Sequence, residues 1–161
     1  MSPFPLLSGG VKPVQFRKLI WSWYRRNGRH DLPWRTTRDP YRILVSEIML
    51  QQTQAGRVIP AYRAFTSAFP TVRALARAPL ARVLRVWQGL GYNRRALHLK
   101  RLAETVIREH GGRLPADPSL LRKLPGVGPA TAGAVAVFAF NARAAFLETN
   151  IRRVYLHFFF P

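Results

Sequence analysis

Glu47 stands inside an apolar run, with Ile43 and Leu44 before it and Ile48 and Leu50 after it. From Tyr41 to Leu50 the residues are apolar on almost every side, which predicts a buried helix. A carboxylate there is costly unless paired or protonated, and burial raises its pKa toward that of a useful general acid. The alternative is a structural glutamate neutralised by an arginine. A second chemical signal is Leu124-Pro125-Gly126-Val127-Gly128, followed by Pro129. Two glycines in three positions permit φ > 0 and a close approach of backbone to ligand. Amides pointing out of such a turn, beside the N-terminus of the next helix, suit a phosphate oxygen. Leu124 and Val127 would pack inward. The same string also reads as an ordinary helix–helix corner with glycine caps.

The elements that position these groups are helical throughout. Residues 1–14 read as a flexible N-terminal arm, broken by Pro3, Pro5, Gly9, Gly10 and Pro13. Phe16, Leu19, Ile20 and Tyr24 mark a first helix closed by Gly28, and a polar loop follows to Pro40. Val58, Ile59, Tyr62 and Phe65 fall at helical spacing between Ala55 and Phe69. Thr71 is the expected N-cap of a short helix, Pro79 starts another through Val86, and Gly89 to Tyr92 is a tight connection. From Asn93 to His110, Leu99, Leu102, Ala103 and Val106 form one face. Arg94, Arg95, Arg101 and Arg108 are expected in water or on phosphate, with His98 and His110 on the helix surface. Asp117-Pro118 opens a further helix, Pro129 another through Ala139, and residues 150–160 a last one. No stretch alternates with strand period, so the chain is expected to be all-α.

Composition narrows the partners. Lys and Arg number 26 against 7 acidic residues, a formal net charge of +19. Such a field attracts polyanions with steep salt dependence, and arginine is the better fork for phosphate. An arginine-rich composition without specific use is the alternative. The 48% hydrophobic content argues for a folded core rather than a basic tail. No apolar stretch approaches the roughly 20 residues of a membrane span. Met1 to Pro13 has none of the features of a signal peptide, so a cytoplasmic, nucleoid-associated location is expected. With no cysteine the chain supplies no thiolate for zinc or an iron–sulfur cluster, and no metal or cofactor is expected.

Six strings then occur in order: Leu32-Pro33-Trp34-Arg35, Ser46 to Gln54, Phe69-Pro70-Thr71, Gly89-Leu90-Gly91-Tyr92, Leu124 to Gly128 with Thr131-Ala132-Gly133-Ala134, and Asn150 to Val154. Together they resemble the endonuclease III superfamily of helix–hairpin–helix DNA glycosylases, nearest the MutY-type adenine DNA glycosylases. The resemblance implies base-excision repair, with double-stranded DNA carrying a mispaired base as partner. Glu47 falls on the family's catalytic glutamate, which protonates the leaving purine. Glu148 stands where the pattern has an aspartate, and its extra methylene carries the oxygens about 1.5 Å further. It also reads as a helix-start anion before Asn150, which matches an asparagine that hydrogen-bonds near the acid pair. Thr149 replaces the usual glycine.

Ala130 occupies the position of the lysine nucleophile in lyase-type relatives. Alanine forms no Schiff base, which implies a monofunctional enzyme using water. Gln52 and Tyr92 match residues that wedge into the duplex when a base is flipped, and Thr53 is their neighbour; Tyr92 also reads as an aromatic cap packed on the core. Leu124, Gly126, Val127, Gly128 and Thr131 match the DNA-binding hairpin. The implied fold has a six-helix hairpin lobe, expected at residues 41–140. A second lobe takes residues 15–40 and begins again at 141–161. That lobe is expected to be incomplete, leaving the first helix and Phe158-Phe159-Phe160 without cover. Excision of uracil or thymine, or DNA binding without catalysis, are the alternatives to adenine removal.

Overall fold

The structure, a computed structural model, describes residues 11–160. They form nine α-helices: α1 (Pro13–Asn27), α2 (Pro40–Leu50), α3 (Ala55–Ala68), α4 (Val72–Arg77), α5 (Leu80–Val86), α6 (Arg94–His110), α7 (Pro118–Leu121), α8 (Pro129–Phe140) and α9 (Thr149–Phe159). A single 3₁₀ turn covers Pro33–Arg35, and the described residues contain no strand. The expected arm lies mainly outside the described residues. Of its last four, Val11 is buried and positions 13 and 14 already belong to α1.

Local signals explain most helix starts. The Asp39 carboxylate accepts from the N–H groups of Tyr41 and Arg42, and Pro40 holds the first helical φ of α2. The Thr71 hydroxyl accepts from Ala74 N–H at 3.0 Å. The Asp117 carboxylate accepts from Ser119 N–H at 2.7 Å, and this bond holds its pKa below the usual carboxylate value. At the other end, Gly111 closes α6 with φ +60°.

The chain divides into two compact units, Asp31–Phe146 and Met1–His30 with Leu147–Pro161. The larger unit takes in residues 31–40, which the sequence boundaries assigned to the other lobe. Leu32 is buried there, and Trp34 sets its ring against Tyr62, centroids 5.4 Å apart. The unit contains seven α-helices rather than the expected six, α7 being a four-residue segment. Its core includes Leu44, Ile48, Val58, Phe65, Trp87, Leu99, Leu102, Val106 and Val135. Phe65 packs edge-on against Phe69 and Trp87. The Tyr41 hydroxyl donates to the Phe69 carbonyl at 2.8 Å, and burial pushes its pKa far above the ordinary phenol.

The smaller unit corrects the expectation of bare ends. Phe16 of α1 meets Tyr155, Phe158 and Phe159 of α9 at ring-centroid distances of 5.4, 5.2 and 5.0 Å. Phe158 is buried, whereas Phe160 stays exposed. Residues at 155, 158 and 159 share one face of a helix. Aromatic edges meeting ring faces at these distances are attractive contacts, so α1 and α9 cover each other in part.

Candidate active site

In the larger unit α2 carries Glu47 and ends at Leu50, so the residues after it form a loop one turn beyond the carboxylate. Glu47 itself is half-buried among buried Ser46, Ile48 and Met49. The loop turns through Gln52, which is exposed and takes φ +55°. Thr53 steadies it: its N–H donates to Leu50 O at 3.2 Å and its hydroxyl to Gln51 O at 3.3 Å.

Between α5 and α6 a second loop places Tyr92 at φ +47°, exposed over 63% of its surface. Gly89 and Gly91 on either side of Leu90 also have φ > 0, which lets the chain reverse tightly beneath the ring. The loop is pinned from within. Arg57 donates to Gly89 O at 2.5 Å, and the Trp87 indole N–H donates to Gly91 O at 3.1 Å. Tyr92 is therefore a presented ring, not an aromatic cap buried in the core.

The third component is the turn from α7 to α8. Leu124 and Val127 are buried and Val127 N–H donates to Leu124 O, while Gly126 and Gly128 are exposed. Only one of the two glycines uses the left-handed region. Gly126 has φ +77°, and a Cβ there would lie 2.8 Å from the Cβ of His98. Gly128 has φ −86° and ψ 176°, ordinary extended backbone, with open space where its Cβ would be. Its lack of a side chain leaves room in front of the α8 N-terminus rather than permitting an unusual torsion. Thr131 is buried and accepts from the Gln51 side chain at 3.3 Å. Its hydroxyl thus ties the first loop to α8. Ala130 is exposed in the first turn of α8.

These three turns belong to one unit and are joined by residues that the sequence reading passed over. Arg95, expected in solvent, is buried and bonds to both the first and second loops. His98, expected on the helix surface, lies beneath Gly126. Arg95 is four residues before Leu99 and falls on the same helix stripe, but that spacing does not tell an inward polar residue from one at the stripe's edge. Arg94, Arg101 and Arg108 are exposed as their spacing implies. Lys100 is buried as well, donating to Ala76 O and pairing with Glu104.

In the smaller unit Glu148 is the N-cap of α9, exposed, and makes no side-chain cap bond. Its carbonyl accepts from Arg152 N–H at 2.9 Å. Asn150 is exposed in the first turn of the same helix. A depression of about 520 Å³ in the larger unit, lined by Thr37, Arg42, Arg63 and Ser67, opens at the N-terminal end of α2. An eleven-residue helix is roughly 16 Å long, so this depression is remote from the three turns. Among the described residues no cluster of three or more His, Asp or Glu could hold a metal ion. No helix among them is long and apolar enough to cross a membrane.

One all-helical unit thus holds a glycine hairpin and, on another of its helices, a half-buried glutamate, the parts of a helix–hairpin–helix glycosylase fold. The chain belongs to the HhH-GPD superfamily of base excision DNA repair proteins, whose family model matches residues 45–161. It is 48% identical over 134 residues to the adenine DNA glycosylase of Mycobacterium tuberculosis, covering 83% of this chain and 44% of that one. To the adenine DNA glycosylase of Buchnera aphidicola subsp. Baizongia pistaciae it is 40% identical over 144 residues, covering 89% of this chain and 41% of the relative. The chain thus spans less than half the length of either enzyme. Among solved structures it resembles a thermostable thymine-DNA glycosylase, with TM-score 0.80 and 37% identity over 88% of this chain and 67% of the other.

Proposed function

We propose that the chain carries the hairpin-lobe chemistry of a monofunctional adenine DNA glycosylase acting on mispaired duplex DNA in the cytoplasm. The observation that carries this reading is the half-buried Glu47 one turn before an exposed, left-handed Gln52, in a chain 40% and 48% identical to two adenine DNA glycosylases. In this reading Glu47 gives a proton to the purine, which weakens the N-glycosidic bond. Breaking that bond leaves positive charge on the sugar, and a second carboxylate, Glu148 with Asn150 two residues on, offsets it. Water then adds to the anomeric carbon and releases a proton, so the products are free base and an abasic site. Ala130 offers no amine, which favours hydrolysis without strand cleavage.

DNA binding in this reading has a non-specific and a distorting part. The net charge of +19 draws the duplex in, and the exposed turn at Gly126 and Gly128 meets backbone phosphate. Gln52 and Tyr92 fill the space left when the base leaves the stack. The proposal uses no cofactor held by this chain, which has no cysteine to ligate a cluster.

The test is incubation with duplexes carrying each mispair, followed by alkaline cleavage of abasic sites. Product from adenine mispairs is the expected result. Product from uracil or thymine mispairs instead would support the second reading, which the likeness to a thymine-DNA glycosylase favours. Binding without product from any duplex would leave a DNA-binding module. Within the leading reading, Glu47→Gln is expected to abolish base release with DNA affinity retained, because an amide keeps the shape but not the acidic proton. Unchanged single-turnover rates would remove Glu47 from the mechanism.

A further inference from the structure

Arg95 sits at the start of α6 with only 8% of its surface exposed. One guanidinium nitrogen, Nη1, donates to the carbonyls of Ile48 (3.1 Å), Met49 (2.8 Å) and Gln51 (2.5 Å). The other, Nη2, donates to the Thr53 hydroxyl (3.1 Å) and to the carbonyls of Leu90 (3.1 Å) and Gly91 (3.2 Å). None of the six acceptors is a carboxylate. The buried charge is offset instead by dipoles, including those at the negative end of α2. Its guanidinium carbon also lies 5.5 Å from the Trp87 ring centroid and 5.3 Å from that of Tyr92.

The acceptors belong to the two loops that carry Gln52 and Tyr92. Each of those residues holds a left-handed backbone, which is strained for a non-glycine residue and persists only where the surroundings enforce it. Trp87 and Arg57 brace the second loop, and Gln51 ties the first to α8. Arg95 donates to both. A planar fork with two separate amino groups can do this, whereas a lysine ammonium is a point charge with three protons.

We infer that Arg95 is a positioning residue that locks the 51–53 and 89–92 loops to each other, so that Gln52 and Tyr92 meet a duplex as one fixed pair. The loop coupling rests on this structure alone; its use on DNA rests on the glycosylase reading above.

Two measurements on the full 161-residue chain test the two halves separately. In the free protein, Arg95→Lys is expected to speed exchange of the hydrogen-bonded amides of Thr53 and Leu90 together by at least about tenfold, the lower end of the worth of a hydrogen bond to a charged group. Exchange at Leu99 and Val106 should stay as in the parent. Loosening of one loop alone, or of neither, overturns the coupling. Should Arg95→Lys not fold, Thr53→Val removes one acceptor in the first loop and is expected to loosen the second; unchanged exchange at Leu90 has the same overturning force. On DNA, 2-aminopurine beside a mispair reports unstacking. Arg95→Lys is expected to reduce that signal in the parent and to add no further loss to Gln52→Ala with Tyr92→Ala. An additive loss overturns action through the loops. Absence of unstacking by the parent protein counts against the glycosylase reading, while the exchange result still decides the coupling.

Discussion

In the larger unit seven helices share one core, and side chains such as Leu44, Phe65, Trp87, Leu99 and Val135 are fully buried. In the smaller unit α1 buries no residue at all and α9 buries only Phe158. Both units are rich in apolar residues. The difference lies in geometry: a residue in the larger unit is enclosed from several directions, whereas Phe16 meets one helix along one face. Enclosure converts apolar area into stability, and a single aromatic seam removes far less surface from water. Glu47 lies on a helix of the dense unit, and Glu148 and Asn150 lie on a helix of the sparse one.

The largest expected effect probes the dense core. Leu99→Ala leaves a cavity on the buried stripe of α6 and is expected to cost about 2–5 kcal/mol in denaturant unfolding. A cost below 1 kcal/mol would mean that the larger unit is no better enclosed than the smaller.

Phe16→Ala is expected to act more weakly and locally. It removes one aromatic seam from a partly exposed ring; an aromatic pair is worth about 0.5–1.5 kcal/mol, and the three contacts share one ring and do not add. Amide exchange across 13–27 and 149–159 should rise while Leu99 and Val106 keep their protection. Parallel loosening of those two core amides would show that the units unfold as one.

Helix caps give the smallest and sharpest contrast. Asp39 makes two bonds to the first turn of α2, and Glu148 makes none to α9. Asp39→Ala is therefore expected to cost about 1 kcal/mol, and Glu148→Ala to change stability by no more than about 0.5 kcal/mol. If Glu148→Ala also left base release from a mispaired duplex intact, its exposed carboxylate would have no part in the reaction. Loss of release at unchanged stability is the expected outcome.

Much of the fold was legible because its signals are local. Asp39-Pro40, Thr71, Asp117-Pro118 and Gly111 each fix a helix end through torsions and bonds within a few residues. The apolar period of α6 identified Leu99, Leu102 and Val106 as core. The ordered strings from Leu32 to Val154 sufficed to expect the family, since residue type and spacing are what such strings encode. They could not reveal which polar residues of a stripe turn inward.

By itself, then, the sequence determined helical class, helix boundaries, basic charge, and the carboxylate and turns where chemistry would be sought. Tertiary structure alone decided that Arg95 is buried, that Gly128 is extended while Gly126 is left-handed, that Thr131 answers Gln51, and that Phe16 covers Phe158. The physical reason is range. A cap or a turn is settled by neighbours three or four residues away, whereas a guanidinium enters a core only when distant backbone carbonyls converge to receive it. For Arg95 the carbonyls of Leu90 and Gly91 are local, but those of Ile48, Met49 and Gln51 lie more than forty residues earlier in the chain, and no local pattern announces their arrival.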